Sequence, residues 1–314
     1  MKKKAIIISI KGTTLTKNEK LLLSEEKPWG LILFKRNIKS FIQIKNLIKD
    51  IKRFAKDSKF PILIDEEGAT VSRLKGIINH NFEANYFGKL YKFDKKIATT
   101  LYKNYLKNLC DDLKDIGINI NTIPVLDVLR DNTNKIIGKR SFSKDKDIVN
   151  ELGKITIREC HINKIATVIK HIPGHGCSTM DSHQKMPKVN LNIRTLNKID
   201  FYPFKSTYSK LAMTAHILYS KIDSKNVSTF SKRIINEIIR KKIGFKGILM
   251  SDDISMKALK FNLITNAKKS LRAGCNLVLY CSGNIKDNFK LIKSVPYIDQ
   301  FTAKKTSEIY KILR

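Results

Sequence analysis

The residues best suited to chemistry crowd into one stretch. Lys170-His171-Ile172-Pro173-Gly174-His175-Gly176 runs into Cys177-Ser178-Thr179-Met180-Asp181-Ser182-His183, so three of the chain's six histidines sit beside a lysine and an aspartate. Gly174 and Gly176 permit tight or left-handed backbone, and Pro173 blocks a helix. The pattern predicts a shaped loop leaving a strand over Ala166 to Ile169. Asp181 and His183 are one residue apart, so both side chains can face one way in an extended loop. A carboxylate bonded to one imidazole nitrogen fixes the tautomer and raises the pKa from about 6.5, which makes the other nitrogen an acid and then a base near neutrality. A second reactive group is the doublet Asp252-Asp253, which closes the apolar run Gly247 to Ser251. One member can serve as a nucleophile, a metal ligand or the N-cap of the next helix, and two suggest divided labour.

Two chemistries compete for the set. In one, His171, His175, His183, His216 and Asp252 bind a metal that activates water, which makes the chain a metal-dependent barrel hydrolase. In the other, Asp252 attacks a carbon centre while His183 moves protons. Spacing leaves both open. No HxH or HExxH pair occurs, and a His-x3-His broken by Pro and Gly is not a helical ligand pair, which weighs against the metal.

These groups need elements to position them. Short apolar runs recur at Ala5 to Ser9, Leu31 to Phe34, Ile62 to Ile64, Ile118 to Ile123, Ala166 to Ile169, Leu211 to Thr214, Ile248 to Met250 and Leu277 to Tyr280. They predict eight buried strands. Helical spacing fills the gaps, over 42–54, 95–116, 148–162, 232–243 and 266–273, with a last helix over 302–313. Alternation throughout, with no Pro- or Ser-rich linker and no GxGxxG after the first strand, predicts one α/β domain over 1–314: a (β/α)8 TIM-type barrel. Barrel enzymes carry their reactive groups at the C-terminal ends of the strands. Asp65, Asp127, Lys170-His171, His216 and Asp252-Asp253 all fall there.

Composition bounds the rest. The 314 residues, 42% of them hydrophobic, hold no apolar run long enough for a membrane span. The start, Met1-Lys2-Lys3-Lys4 then Ala5 to Ile10, mimics a secretion signal but lacks a cleavage site and reads as a first strand. Five cysteines without a CxxC pair fit a reducing cytoplasm. The net charge of +33 would attract nucleic acid, yet its lysines are spread along the whole length with no stripe of interleaved aromatics. No nucleic-acid partner is expected.

Several motifs, in order, resemble a known family. Leu31-Ile32-Leu33-Phe34-Lys35-Arg36-Asn37-Ile38, Ile64-Asp65-Glu66-Glu67-Gly68 with Arg73, and Pro124-Val125-Leu126-Asp127 come first. Ile137-Gly138-Lys139-Arg140-Ser141-Phe142, the His-rich stretch, Met213-Thr214-Ala215-His216 and Ser251-Asp252-Asp253 follow. Together they are similar to the cytoplasmic β-N-acetylglucosaminidases of glycoside hydrolase family 3 that act in peptidoglycan recycling. The resemblance implies that Asp252 is the nucleophile of a covalent glycosyl-enzyme and that His183, oriented by Asp181, is the acid/base. It implies that Asp65, Arg73, Arg140, Lys170 and His171 hold the sugar. The expected reaction is retaining removal of terminal β-linked N-acetylglucosamine from GlcNAc-anhydroMurNAc-peptides. No cofactor, metal or membrane partner is expected, and a cytoplasmic monomer is. A histidine acid/base on a Gly- and Pro-containing loop also suggests that the stretch Pro173 to Pro187 swings.

The chain departs from the family's usual residues at Ala69-Thr70, Ser72, Cys177-Ser178 and Asn276. None of these carries an expected catalytic role, although Cys177 sits where it can change how the loop is braced. With the eighth strand and a last helix so near residue 314, the second domain that many relatives carry is not expected.

Overall fold

The computed structural model describes residues 2–180, 186–205 and 207–314. Eight parallel strands close a barrel in sequential order: β1 (Lys4–Ile8), β2 (Pro28–Leu33), β3 (Ile62–Ile64), β4 (Ile120–Asn121), β5 (Ala166–Ile172), β6 (Leu211–Thr214), β7 (Ile248–Asp253) and β8 (Leu277–Leu279). The ring shuts where Ile6 and Ile7 of β1 pair with Val278 and Leu279 of β8.

The strands are apolar on both faces because both faces are covered, which is why they read as continuous runs rather than alternations. Ala5, Ile7, Trp29, Leu63, Val168, Leu211, Met213, Ile248 and Met250 fill the interior. Their neighbours Leu31, Leu33, Ile62, Ile64, Ile169, Ala212 and Leu249 face the outer helices. Each Leu or Ile so enclosed contributes ~1.5–3 kcal/mol of transfer free energy.

The helices start and stop where side-chain chemistry dictates. Ser40 caps Phe41–Phe54 by accepting from the Gln43 amide, and Ile44, Leu47, Ile48 and Ile51 form the buried stripe. Asp94 caps Lys95–Ile116, which ends at Gly117 in the left-handed region, φ 100°. Helices Ala84–Phe93 and Ile285–Ser294 were not legible as periodic segments. The 232–243 segment is wound as a π-helix over Ile234–Lys242.

Several strand boundaries differ from expectation: β2 starts at Pro28 instead of Leu31, β7 runs on to Asp253 instead of ending at Met250, and the ends of β4 and β5 bear directly on the site. The regular ladder of β4 is only Ile120–Asn121, because beyond it the chain meets β5 through a single bridge, Val125 to Lys170. Strand β5 continues through Lys170 and His171 to Ile172 instead of ending at Ile169. No described helix is long and apolar enough to cross a membrane.

Candidate active site

A cleft of about 310 Å³ opens at the C-terminal ends of the strands, lined among others by Asp65, Glu67, Arg73, Arg140, Lys170, His171 and Asp252. Six of the eight expected site residues therefore meet in one place. The other two, Asp181 and His183, lie outside the described residues.

Lys170 and His171 are adjacent in β5, yet both line the cleft. Regular pleating would send them to opposite faces. The ladder between β5 and β6 skips a residue between Lys170 and Ile172, so the regular alternation is broken at this step, where the Lys170–His171 peptide is cis. Lys170 is almost wholly enclosed, with its Nζ 2.6 Å from Glu67 Oε1, 3.2 Å from Asp65 Oδ1 and 2.7 Å from the Thr122 hydroxyl. Glu67 in turn receives Arg140 through Nε at 2.7 Å and Nη2 at 3.0 Å. Asp65 also accepts from Arg73 Nη2 at 3.0 Å and from the Thr122 hydroxyl.

Burial alone would push both carboxyls up, but neighbouring cations outweigh it. Lys170 and Arg73 hold Asp65 well below its usual range, and Arg140 with Lys170 pulls Glu67 down to about 2. Both are anions at neutral pH, and both keep the cations fixed. Glu66, beside them in sequence, behaves in the opposite way. Burial raises its pKa, and its Oε2 accepts the amides of Arg73 and Leu74 at 2.8 and 3.0 Å, which folds the loop that presents Arg73.

His171 donates from Nδ1 to Asp127 Oδ2 at 2.7 Å, and Asp127 Oδ1 takes the His175 amide at 2.6 Å. Burial opposes the charge on Asp127, yet the histidines lower its pKa overall, so it accepts here and Nδ1 carries the proton. The Nε2 of His171 is then the nitrogen available to a ligand. His175 is buried against the same carboxylate, and burial pushes it down to about 4, so it is neutral. His216 is also lowered by burial. It bonds Thr229 through Nδ1 at 2.7 Å and the Asp253 carbonyl through Nε2 at 3.1 Å, which steadies the end of β7.

That end of β7 presents the doublet with its labour divided. Asp252 lines the cleft, and its Oδ1 accepts the Asp253 amide at 2.7 Å. Asp253 accepts the Ser255 amide at 3.1 Å, the Ser255 hydroxyl at 2.7 Å and the Cys281 amide at 3.3 Å. It braces the loop on its far side.

The first half of the His-rich loop is tied down. Gly174 takes a positive φ of 140°, and the Tyr219 hydroxyl donates to its carbonyl. The Thr133 hydroxyl donates to the Gly176 carbonyl at 2.5 Å, and the Asn134 amide to Ser178 O at 3.0 Å. Cys177 is buried beside Asp200, which pairs with Arg130. These bonds tie residues 174–178 of the expected mobile stretch to the barrel.

Sequence reasoning gave no role to Glu67, Thr122 or Asn134. Glu67 was visible only as one of two adjacent acids, and nothing in the sequence separates it from Glu66. Among the described residues no three His, Cys, Asp or Glu converge as a metal site.

A closed parallel barrel that gathers aspartates, cations and an imidazole in a cleft at the C-terminal ends of its strands is the architecture of a barrel enzyme. Comparison with known proteins specifies which. The glycosyl hydrolase family 3 N-terminal domain matches residues 3–306. The β-hexosaminidase of Actinobacillus succinogenes is 32% identical over 306 residues, covering 94% of this chain and 87% of its own length. That of Haemophilus influenzae is 31% identical over 308 residues, covering 93% and 85%. The NagZ structure from Neisseria gonorrhoeae, in complex with N-trifluoroacetyl-D-glucosamine, superposes with a TM-score of 0.88 at 28% identity, over 98% of this chain and 90% of that one. The chain belongs to glycosyl hydrolase family 3. Within that family it is a glycosidase of the β-N-acetylhexosaminidase type.

Proposed function

We propose that this β-N-acetylhexosaminidase removes terminal non-reducing β-linked N-acetylglucosamine from muropeptide fragments, GlcNAc-anhydroMurNAc-peptides, by double displacement with retention. Asp252 attacks the anomeric carbon and forms a covalent glycosyl-enzyme. His183, oriented by Asp181, protonates the leaving oxygen and then deprotonates the water that releases the sugar. Asp65, Arg73, Arg140, Lys170 and His171 hold the ring: cations and imidazole meet hydroxyl and carbonyl oxygens, and carboxylates accept from hydroxyls. The protein acts as one barrel domain, as a monomer without cofactor.

The observation that carries this reading is the position of Asp252, at the end of β7 and in the wall of the same cleft as the five ring-holding side chains. A carboxylate beside a bound pyranose is what the first displacement requires. The test is release of N-acetylglucosamine from a chromogenic β-glycoside and from GlcNAc-anhydroMurNAc-peptide, with wild type and Asp252→Ala. Proton NMR of the first-formed anomer follows stereochemistry. Loss of both activities in the folded variant, with β-anomer released first by wild type, is expected. An unchanged rate in Asp252→Ala, or release of the α-anomer, overturns the mechanism. Hydrolysis of the chromogenic substrate alone overturns the muropeptide assignment.

A further inference from the structure

Asn134 stands in the loop between β4 and helix Lys146–Ile162, and it spans two parts of the site. Toward the His-rich loop, its backbone amide donates to the Ser178 carbonyl at 3.0 Å and its side-chain Nδ2 donates to the Thr179 carbonyl at 3.1 Å. Toward the cleft, its Oδ1 accepts the Ile136 amide at 2.9 Å and its carbonyl accepts the Ile137 amide at 3.0 Å. Ile136 and Ile137 both line the cleft. The Ile136 carbonyl also receives Arg140 Nη1 at 3.0 Å. One side chain thus joins the wall that carries Arg140 to a backbone carbonyl two residues before Asp181.

The surrounding ties make this junction stiff on both sides. Thr133 holds Gly176, the Ser178 hydroxyl donates to the Met180 carbonyl at 3.0 Å, and Arg140 is locked by Glu67. Asn134 bonds to residues on both sides. An amide is the side chain that suits the place, because it must accept on one face and donate on the other.

We propose that Asn134 is a positioning residue for proton transfer: it fixes Ser178 and Thr179, which precede Asp181 and His183 in the chain, relative to the wall that grips the sugar. The inference rests on the assignment of His183 as the acid/base. General acid help is needed most when the leaving oxygen is a poor leaving group, and it is worth about 10²–10⁴-fold. A misplaced acid therefore shows as a loss that depends on the leaving group. A defect of fold or sugar binding lowers all substrates alike.

The experiment compares kcat/KM for 2,4-dinitrophenyl β-N-acetylglucosaminide, which needs no protonation, with that for a β-linked N-acetylglucosamine disaccharide, which does. The proteins are wild type, Asn134→Asp, Asn134→Ala and His183→Ala, each checked by thermal unfolding. Asn134→Asp keeps shape and the bond from Ile136 but loses the donor to Thr179, so it isolates the crossing bond even if Asn134→Ala folds poorly. Expected is a fall of about tenfold or more on the disaccharide for both Asn134 variants, inside the range of general acid catalysis, with the dinitrophenyl rate preserved. A disaccharide loss in His183→Ala with none in Asn134→Asp overturns the positioning role and leaves the acid/base assignment standing. No leaving-group dependence in His183→Ala overturns the acid/base assignment and the positioning role with it. Equal losses on both substrates in Asn134→Asp mean a structural role only.

Discussion

Asp127 Oδ2 lies 2.7 Å from His171 Nδ1, and both groups are buried beneath the cleft. The bond fixes the imidazole's orientation and tautomer. The same carboxylate anchors the His175 amide, so one residue sets both the ring-facing nitrogen and the root of the next loop.

Replacing that acceptor tests the arrangement. Asp127→Asn places a donor or a weaker acceptor against Nδ1 and turns the tautomer over. Hydrogen bonds to charged groups contribute about 1.5–3 kcal/mol, so the KM for a β-N-acetylglucosaminide should rise about tenfold or more. Steady-state kinetics and the inhibition constant of free N-acetylglucosamine measure it.

Glu67→Gln should destabilise the protein while damaging the site. It leaves Lys170 and Arg140 enclosed with Asp65 as the remaining close anion, and breaking a buried ion pair costs about 3–5 kcal/mol. Urea unfolding should show a loss in that range, and the surviving folded protein should bind sugar weakly. A stability within error of wild type would show that the network is solvated.

Gly176→Ala should separate activity from fold. A Cβ there would lie 1.8 Å from the Val128 carbonyl oxygen, so the backbone must move. A shift of about 1 Å at a reacting group can cost on the order of 10²-fold in rate. The expected result is a folded barrel by circular dichroism with kcat reduced to that degree.

Acid sensitivity should begin well above the carboxylate range. Burial pushes His161 from 6.5 down to about 4, so the folded state resists a proton that the unfolded chain accepts. Stability then falls as pH drops from about 6.5 toward 4, by up to ~1.4 kcal/mol per unit, and is unaffected by this group above 6.5. His161 lies far from the chemistry, on helix Lys146–Ile162 beside Thr167. Urea midpoints at pH 7, 6 and 5 should drop less steeply in His161→Gln than in wild type.

The strands and their reactive ends were legible because a two-sided barrel strand is a continuous apolar run, and a polar group at its end stands out. The loop beyond β4 was not legible: Asp127 read as a strand-end group and Val125 only as part of a motif, but their contacts with Lys170 and His171 depend on how far two ladders run. The break in alternation at Lys170 and His171 falls at a register slip with β6 that no residue type signals. Glu67 and Asn134 were hidden for another reason. Their roles lie wholly in their partners, some near in the chain, as Ile136 is to Asn134, and some distant, as Lys170 is to Glu67, and an acid or amide in a loop has many possible ones.

The cleft is also unevenly charged. Its lining carries four carboxyl groups, Asp65, Glu67, Asp252 and Asp253, against three cations, Arg73, Arg140 and Lys170. A pyranose bearing a carboxylate would meet that excess of acid groups and carry its desolvation cost uncompensated, whereas an uncharged, N-acylated ring would not. The lining as a whole should therefore turn acidic sugars away, before any single contact does.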